Sequence, residues 1–530
     1  MFSRKCMRWV IVTVLVVPWL WPFAGGPSPF VQPWLVSLTC VSTLVLLGFW
    51  LRLDLPKSAS QAWLLAALVS CLIGLLQYSG LSPMLAPWIS VTPIGEAFGN
   101  LRQRNQFATL TNIGLAALLC SVTYWKSLSD EDPQKVCSPM ADVSLSHLVW
   151  PGAAAVLLAV GNATSSSRTG MLQLTLMASL LLLWRRLRKM NTSVLVLVVA
   201  LSYPSAAFLL PRLVGLDPSA TGILARLNDS GPACASRLVL WRNVLELIAQ
   251  KPWFGWGWGE LGYAHFTTLY TGPRFCDILD NAHNLPLHLA VELGVPIAVL
   301  ACGLTAWLVW RAKPWRETSP ARQLAWTVLA LIMLHSMLEY PLWYGPFQIA
   351  AGVCVWILWR TPIESEVHAD YAKTVIQTKP PIAFRSRAAS KVLGCISALL
   401  LAGVAYAAWD YHRISQIYLA PNMRSPAYRE NTLEKINGSW LFRNQVRFAE
   451  LTTSEVNPDN AAHINALAQE MLHFSPEARV AEKLVESAVM LGRDGEALLY
   501  LARYRAAFPQ EHASWLRDKR LLFKGQLPSD

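Results

Sequence analysis

One histidine and three arginines are the residues of this chain best suited to chemistry. His283 lies in residues 281–294, where a polar turn runs directly into a long apolar segment, and an ionisable side chain there is a functional-site candidate. The guanidinium groups of Arg168, Arg237 and Arg242 bind phosphate oxygens and keep their charge. An imidazole can take a proton from an attacking hydroxyl. This set suits a reaction in which a hydroxyl attacks a sugar carbon while a lipid-linked diphosphate leaves that carbon.

Each of these side chains also has a structural interpretation. Arg168 could cap a helix or meet lipid headgroups, Arg237 could be a solvated helix residue for which Arg242 substitutes, and His283 could donate to a backbone carbonyl. We interpret His288 as a structural residue that is hydrogen-bonded within the helix bundle, because it points from a different helix face than His283. The two histidines are five positions apart and no Glu follows as in His-Glu-x-x-His, so no metal site is predicted.

The elements that must position these residues are helices in a membrane. The 530 residues are 54% hydrophobic and only 15% charged, with a mean hydropathy of +0.34, which is too apolar for one soluble domain. The formal charge of +12 does not predict nucleic-acid binding, because the Lys and Arg residues lie in short loops between apolar runs and no basic module with interleaved aromatics is present. We expect an all-α polytopic membrane protein.

The apolar pattern predicts about eleven transmembrane helices. They cover residues 8–24, 31–51, 61–80, 106–125, 147–163, 169–184, 193–210, 285–310, 323–339, 343–359 and 391–409. Alternate connections are rich in Lys and Arg, which places those connections in the cytoplasm by the positive-inside rule. The N-terminus is then cytoplasmic and the C-terminus lies outside. All of the candidate residues fall on the outer side.

Two domains follow from this topology. Residues 1–410 form a transmembrane domain with a large outer loop at 211–284, and residues 411–530 form a helical outer tail. Within the loop, residues 236–250 have apolar side chains at helical spacing, and the Gly/Trp run that follows is interpreted as an interfacial turn with aromatic anchors. In the tail, residues 461–474, 477–491 and 494–508 are predicted helices that could form hairpins resembling tetratricopeptide repeats.

The cysteine pattern contains no pair or Cys/His cluster at zinc spacing. Cys234 and Cys276 lie in the same outer loop, where an oxidising compartment allows a disulfide. Spacing alone does not fix their distance, so the sequence leaves both the paired and the free state open.

The outer side also carries polar residues that would be unusual without a function: Gln103, Arg104, Asn105, His265, Asn284, Tyr340 and Tyr344. All of these except His265 lie, together with Arg168, Arg237 and His283, in six short motifs that follow one another in a fixed order. These motifs are residues 100–108 (Asn-Leu-Arg-Gln-Arg-Asn-Gln-Phe-Ala), 167–170 (Ser-Arg-Thr-Gly), 236–241 (Ser-Arg-Leu-Val-Leu-Trp), 252–259 (Pro-Trp-Phe-Gly-Trp-Gly-Trp-Gly), 282–284 (Ala-His-Asn) with 292–294 (Glu-Leu-Gly), and 339–344 (Glu-Tyr-Pro-Leu-Trp-Tyr). In this order they resemble the bacterial protein O-oligosaccharyltransferases, the pilin-glycosylating branch of the O-antigen ligase and polymerase superfamily.

The resemblance implies a glycosyltransferase of the bacterial inner membrane whose active site faces the periplasm. Its donor would be an oligosaccharide on undecaprenyl diphosphate, and its acceptor a Ser or Thr of a secreted protein such as type IV pilin, with no cofactor, nucleotide or metal. His283 matches the essential histidine of the family, Arg168 and Arg237 match the arginines that hold the diphosphate, and Gln103 and Tyr340 match polar positions of the protein-glycosylating branch. The alternative within the superfamily is an O-antigen ligase or polymerase whose acceptor is a lipid A core or a glycan. A transporter is a different class, but the broken mid-membrane helices and internal repeats that it requires are not evident.

Overall fold

The computed structural model describes residues 4–50, 54–122, 148–219, 221–228, 233–361 and 387–525. These residues contain helices and connecting loops and no strand, so the predicted all-α fold is confirmed. In chain order the α-helices are α1 (Arg4–Leu20), α2 (Val31–Trp50), α3 (Leu55–Tyr78), α4 (Arg104–Cys120), α5 (Val149–Thr164), α6 (Arg168–Leu183), α7 (Met190–Leu213), α8 (Gly222–Asn228), α9 (Arg237–Gln250), α10 (Leu261–Thr267), α11 (Leu285–Leu293), α12 (Val295–Ala312), α13 (Pro320–Ser336), α14 (Gly345–Arg360), α15 (Arg387–Ser415), α16 (Thr432–Ile436), α17 (Arg443–Thr453), α18 (Ala461–Phe474), α19 (Ala478–Met490), α20 (Asp494–Ala507) and α21 (Pro509–Gly525).

Within the part of the chain that the structure describes, four helical stretches are long and apolar enough to cross a membrane: Leu55–Tyr78, Met190–Leu213, Val295–Arg316 and Val392–Tyr418. Shorter apolar helices occur at Arg8–Leu20, Val31–Leu47, Val149–Thr164 and Arg168–Leu183. The chain is therefore a multi-pass membrane protein. The number of eleven spans stays a prediction. The predicted eighth span, 285–310, is two helices here, because Gly294 has a φ of +90° and separates α11 from α12.

The contacts within the chain form two units, and each is described by itself. The first unit contains residues 1–229 and 308–406, and the second contains residues 230–307 and 407–530. Two of the three unit boundaries, at 307/308 and 406/407, fall inside α12 and α15. The predicted domain boundary near residue 410 stays a prediction.

Small residues allow the helices of the first unit to pack closely. A Cβ atom on Gly114 of α4 would lie 2.3 Å from the Cβ of Ala67 of α3, and one on Gly161 of α5 would lie 2.3 Å from the sulfur of Cys71. Small side chains at helix contacts are typical of membrane bundles, where close backbone approach replaces the hydrophobic effect as the source of packing energy. Gln103 immediately precedes α4, and Arg168 is the first residue of α6.

The second unit combines residues 230–284 of the predicted outer loop and the following residues 285–307 with the C-terminal tail. The three predicted tail helices correspond to α18, α19 and α20, with ends that differ by at most one residue. Their buried apolar faces form one core with Phe266 of α10. His473 of α18 stacks on Tyr263 at 3.8 Å and its Nδ1 lies 2.7 Å from Glu260. Repeat-like character of the tail stays a prediction.

Candidate functional site

His283 stands in a turn that is held from both sides in the second unit. The Asn281 side chain accepts the backbone N–H of His283 at 2.9 Å, and the indole of Trp241 on α9 donates to the carbonyl of Ala282 at 3.1 Å. Asn281 and Ala282 are buried, whereas His283 is partly exposed with a φ of +50°. Few non-glycine residues adopt this left-handed backbone, and where they do it is held by its surroundings. The turn thus presents the His283 imidazole on a rigid backbone.

Asn284, the next residue, starts α11. Its side chain accepts the backbone N–H of Leu287 at 3.1 Å, which is the usual N-cap hydrogen bond. Asn284 therefore has a structural role as the cap of α11, and its substrate-orienting role stays a prediction.

The Gly/Trp run pairs its backbone with the end of α11. The N–H groups of Trp256 and Gly257 donate to the carbonyls of Val291 and Glu292 at 2.8 and 3.0 Å, and the N–H of Val295 donates to the carbonyl of Pro252 at 2.8 Å. The interpretation as a turn with aromatic anchors is incomplete, because the run also fixes the junction between α11 and the spanning helix α12. Its aromatic side chains at 253, 254 and 258 are largely exposed.

His288 and Glu292 form a buried pair on α11. Their Nε2 and Oε2 atoms are 3.4 Å apart and both side chains are 2% exposed. Burial, together with the nearby charge of His283, lowers the pKa of His288 to about 4. Burial raises the pKa of Glu292 to about 7, although the backbone N–H groups of Gly259 and Leu261 act against this shift. His288 is therefore neutral at pH 7, as expected of a scaffold residue.

The two arginines of α9 have different surroundings. Arg237 is the first residue of the helix and is partly exposed, and the Ser236 hydroxyl caps the helix by accepting the N–H of Val239 at 3.3 Å. Arg242 is exposed, and its guanidinium packs over the backbone of Gly272. Only Arg237 therefore stands at the positive end of the helix dipole.

A disulfide joins Cys234 to Cys276, with Cα atoms 5.4 Å apart. This separation lies in the usual range for disulfides. The bond links the segment before α9 to the segment before Asn281, so it closes the loop that contains Trp241 and ends near His283.

Arg168 in the first unit repeats the arrangement of Arg237. It is the first residue of α6, it is exposed, and the Ser167 hydroxyl caps the helix by accepting the N–H of Gly170 at 2.9 Å. The preceding Ser166 has a φ of +51°, and its carbonyl accepts a hydrogen bond from Arg226 at 3.1 Å.

Gln103 and Asn105 meet at one carboxylate, that of Glu339. The Gln103 and Asn105 amides donate to the two oxygens of Glu339, each at 3.1 Å. Tyr340 follows Glu339 and stacks on Tyr344 with ring centroids 5.9 Å apart. Thus the structure brings together motifs that are more than 230 residues apart in the chain.

Arg104 does not join this group. It forms an ion pair with Glu96 and lies over the ring of Phe98. Its substrate-orienting role stays a prediction, and in this structure its charge is already paired.

Sequence reasoning did not select Glu339 or Ser167 as site residues. Both lie within the motifs that were recognised, immediately before Tyr340 and Arg168. Their positions beside those residues are one available signal, and Ser167 offers a second, because serine is a preferred helix N-cap. Among the described residues, no group of three or more His, Cys, Asp or Glu side chains could hold a metal ion.

Three protein families match this chain. The family described as "O-Antigen ligase" matches residues 153–302, "Protein glycosylation ligase" matches 97–119, and "Virulence factor membrane-bound polymerase, C-terminal" matches 323–522. Two relatives from Acinetobacter baylyi are also similar. A "General O-oligosaccharyltransferase" is 24% identical over 337 residues, which cover 60% of this chain and 55% of the relative. A "ComP-specific O-oligosaccharyltransferase" is 25% identical over 259 residues, which cover 49% of this chain and 43% of the relative.

The resemblance to the protein O-oligosaccharyltransferases of the O-antigen ligase superfamily is confirmed. The chain spans about half the length of the curated relatives that it matches. No solved structure matches it. The superfamily match contains Arg168, Arg237 and His283, and the glycosylation-ligase match contains Gln103 and Asn105.

Proposed function

We propose that the protein transfers an oligosaccharide en bloc from undecaprenyl diphosphate to a Ser or Thr hydroxyl of a periplasmic protein such as type IV pilin. The observation that carries this proposal is the Ser–Arg start shared by α6 and α9. In each helix a serine caps the first turn and an arginine stands at the first helical position. The same local structure therefore occurs at both arginines that the family resemblance assigns to the diphosphate.

A helix start of this kind suits an anion for two reasons. The first backbone N–H groups of a helix have no partner within the helix and carry a partial positive charge. A guanidinium adds a full charge and planar donors that match phosphate oxygens. Arg168 and Arg237 would stabilise the charge that builds on the departing diphosphate, which is where preorganised electrostatics contributes most. Arg242, one turn further along α9, would be a secondary contact.

His283 would act as the general base. The acceptor hydroxyl oxygen attacks the anomeric carbon, the bond from that carbon to the diphosphate oxygen breaks, and the electron pair leaves with the diphosphate. The hydroxyl proton passes to His283, and the configuration at the sugar carbon inverts. A positioned base of this kind is worth about 10²–10⁴-fold in rate. The neighbouring His288 is neutral and buried, so it does not compete for this role.

Gln103 and Tyr340 would orient the sugar or the acceptor. The structure supports this through Glu339, which holds Gln103 and Asn105 in one place beside Tyr340. Tyr344 would extend the same surface through its stacked ring. We expect the reaction to need no nucleotide, metal or other cofactor.

The site would face the periplasm of a bacterial inner-membrane protein, with a cytoplasmic N-terminus and a periplasmic C-terminus. The Lys and Arg bias of the connections supports this orientation. The disulfide between Cys234 and Cys276 is also compatible with an oxidising compartment.

The second candidate is an O-antigen ligase or polymerase whose acceptor is a lipid A core or a glycan. The matches at 153–302 and 323–522 favour it, because their family descriptions state a ligase and a polymerase. One experiment separates the candidates. The purified protein is placed in liposomes with a lipid-linked oligosaccharide and offered a pilin-type protein or a lipid A core in separate reactions. A glycan-sized mass increase on the protein alone supports our proposal, whereas modification of the lipid A core alone supports the alternative.

A further inference from the structure

The carboxylate of Glu339 is clamped between two side-chain amides. It is 6% exposed, and it accepts the Gln103 amide on one oxygen and the Asn105 amide on the other, at 3.1 Å each. In this arrangement each amide turns its NH₂ group toward Glu339, whose two oxygens act as the acceptors, and each amide carbonyl oxygen points away from it.

The amide oxygens of Asn105 and Gln103 differ in their hydrogen-bond partners. The Asn105 oxygen accepts the hydroxyl of Ser167 at 2.6 Å, and the same hydroxyl accepts the N–H of Gly170 at 2.9 Å. Glu339 is thereby connected, through Asn105 and Ser167, to the helix start that carries Arg168. The Gln103 carbonyl oxygen is buried and has no hydrogen-bond partner among the residues described.

A buried carbonyl oxygen without a donor is unfavourable in the free protein, and native structures seldom leave one so. At this position the missing donor can arrive with a substrate. Because the oxygen can only accept, the substrate group must be an O–H or an N–H. Sugar hydroxyls, acetamido groups and the acceptor's own backbone all supply such a group.

We propose that Glu339 is a positioning residue that makes Gln103 a hydrogen-bond acceptor toward an O–H or N–H of the bound substrate. The inference rests on the proposed oligosaccharyltransferase function. It adds a residue, a direction for the Gln103 hydrogen bond and the chemical class of the group that Gln103 binds.

The test is a reciprocal exchange of the two side chains. The variants are Glu339→Gln, Gln103→Glu, the double variant Gln103→Glu/Glu339→Gln, and Gln103→Met in each 339 background. Asp217→Asn is the matched control, because Asp217 is an exposed carboxylate of the same unit that bonds only locally to Ser219. For each variant, kcat and KM are measured for the lipid-linked glycan and for the acceptor protein, together with the unfolding midpoint in detergent.

We expect each single exchange to lower kcat/KM about 10- to 100-fold. In Glu339→Gln an amide faces the two amides, and in Gln103→Glu a carboxylate faces the carboxylate of Glu339. The double variant restores the donor–acceptor match and keeps an oxygen directed at the substrate, so it should return to within about threefold of the wild type. Gln103→Met lacks that oxygen and should stay low in both backgrounds, whatever its unfolding midpoint. A raised KM for the glycan or for the protein identifies which substrate supplies the O–H or N–H.

A double variant no more active than the single variants overturns the proposal, whether or not the single variants fold. The proposal is also overturned if the activity of Gln103→Met changes only in parallel with its unfolding midpoint, because Gln103 then has a purely structural role. If the wild type transfers no glycan to any acceptor, the proposed function has failed. A wild type that is active beside a fully active Glu339→Gln variant contradicts only the role of Glu339.

Discussion

The backbone of Gly255 lies directly against the backbone of Glu292. A Cβ atom at Gly255 would be 2.4 Å from the carbonyl carbon of Glu292, which is closer than any real Cβ contact. Gly294 makes the reciprocal approach, since its Cβ would be 2.2 Å from the carbonyl oxygen of Trp253. These glycines allow the Gly/Trp run to pair with the end of α11, and that pairing holds the helix that begins just after His283.

This packing predicts different effects for two alanine substitutions in the same run. Gly255 and Gly259 both have left-handed backbones, with φ values of +68° and +81°, but a Cβ placed at Gly259 would have no described residue beyond its chain neighbours within 4 Å. Gly259→Ala should cost only the backbone strain, about 1–2 kcal/mol. Gly255→Ala adds a clash with backbone and should cost about 1–3 kcal/mol more. Thermal unfolding in detergent measures the difference, and equal losses would show that the run does not pack as described.

Substituting lysine for arginine should weaken binding of the donor. A lysine at position 168 or 237 keeps the charge but loses the planar pair of donors that matches a phosphate. A lost charge-assisted hydrogen bond corresponds to about a tenfold or larger rise in the KM for the lipid-linked glycan. Arg505→Lys, on an exposed part of α20, is the control. If both substitutions leave kcat/KM for the lipid-linked glycan at the wild-type value, Arg168 and Arg237 contact neither the bound nor the departing diphosphate.

Removal of the disulfide should loosen the loop before His283. Cys234 and Cys276 are 42 positions apart, and cross-linking a loop of this size stabilises a protein by about 4 kcal/mol in the chain-entropy account. The Cys234→Ser/Cys276→Ser variant should unfold at a lower temperature, and a reducing agent should lower the midpoint of the wild type but not that of the variant. Peptide mapping of the non-reduced protein provides a direct check, because two free thiols at these positions would exclude the bond.

From the burial of His265 we predict that the free energy of unfolding falls in acid. Its ring is 4% exposed, with Nδ1 2.8 Å from the Tyr270 hydroxyl and Nε2 3.2 Å from the Phe275 carbonyl. Burial and the charge of Arg274 lower the pKa of His265 to about 3, despite the favourable carbonyl contact. The folded-state pKa is below the unfolded value of 6.5, so the unfolded chain binds more protons between these limits.

The stability contributed by neutral His265 is thus complete above pH 6.5 and is lost as the pH falls toward 3. The expected slope is about 1.4 kcal/mol per pH unit within that window. Glu292, with its raised pKa, acts in the opposite direction between 4.5 and about 7, so the comparison must be made against a His265→Gln variant. The difference in unfolding free energy between wild type and variant should shrink as the pH falls, and a constant difference would contradict the assignment.

The sequence predicted the helices well wherever the apolar period was regular. The predicted helix at 236–250 and those of the tail agree with α9, α18, α19 and α20 to within a residue at each end. The apolar run at 285–310 predicts one span, because hydropathy does not register the backbone conformation at Gly294. The positive φ of Gly294 divides this continuous apolar run into the two helices α11 and α12.

The sequence motifs select candidate site residues one at a time, but they do not predict the contacts between them. The motifs identified Gln103 and Tyr340, yet the carboxylate that holds Gln103 is 236 positions away, and no local pattern encodes such a pairing. The Gly/Trp run was recognised as a turn, while its pairing with α11 depends on tertiary approach of two backbones. Serine caps at Ser167 and Ser236 were readable in principle, because a serine before a helical arginine is a helix-start signal.

In the proposed reaction His283 takes the proton of the acceptor hydroxyl during glycosyl transfer. The most direct measurement is the intact mass of a pilin-type acceptor after incubation with lipid-linked oligosaccharide and either wild-type protein or the His283→Gln variant. His412→Gln, an exposed histidine of the same unit, is the matched control. We predict a glycan-sized mass increase with the wild type and the control, and a rate lower by about 10²-fold or more with His283→Gln. Glycosylation by His283→Gln at the wild-type rate would contradict the account.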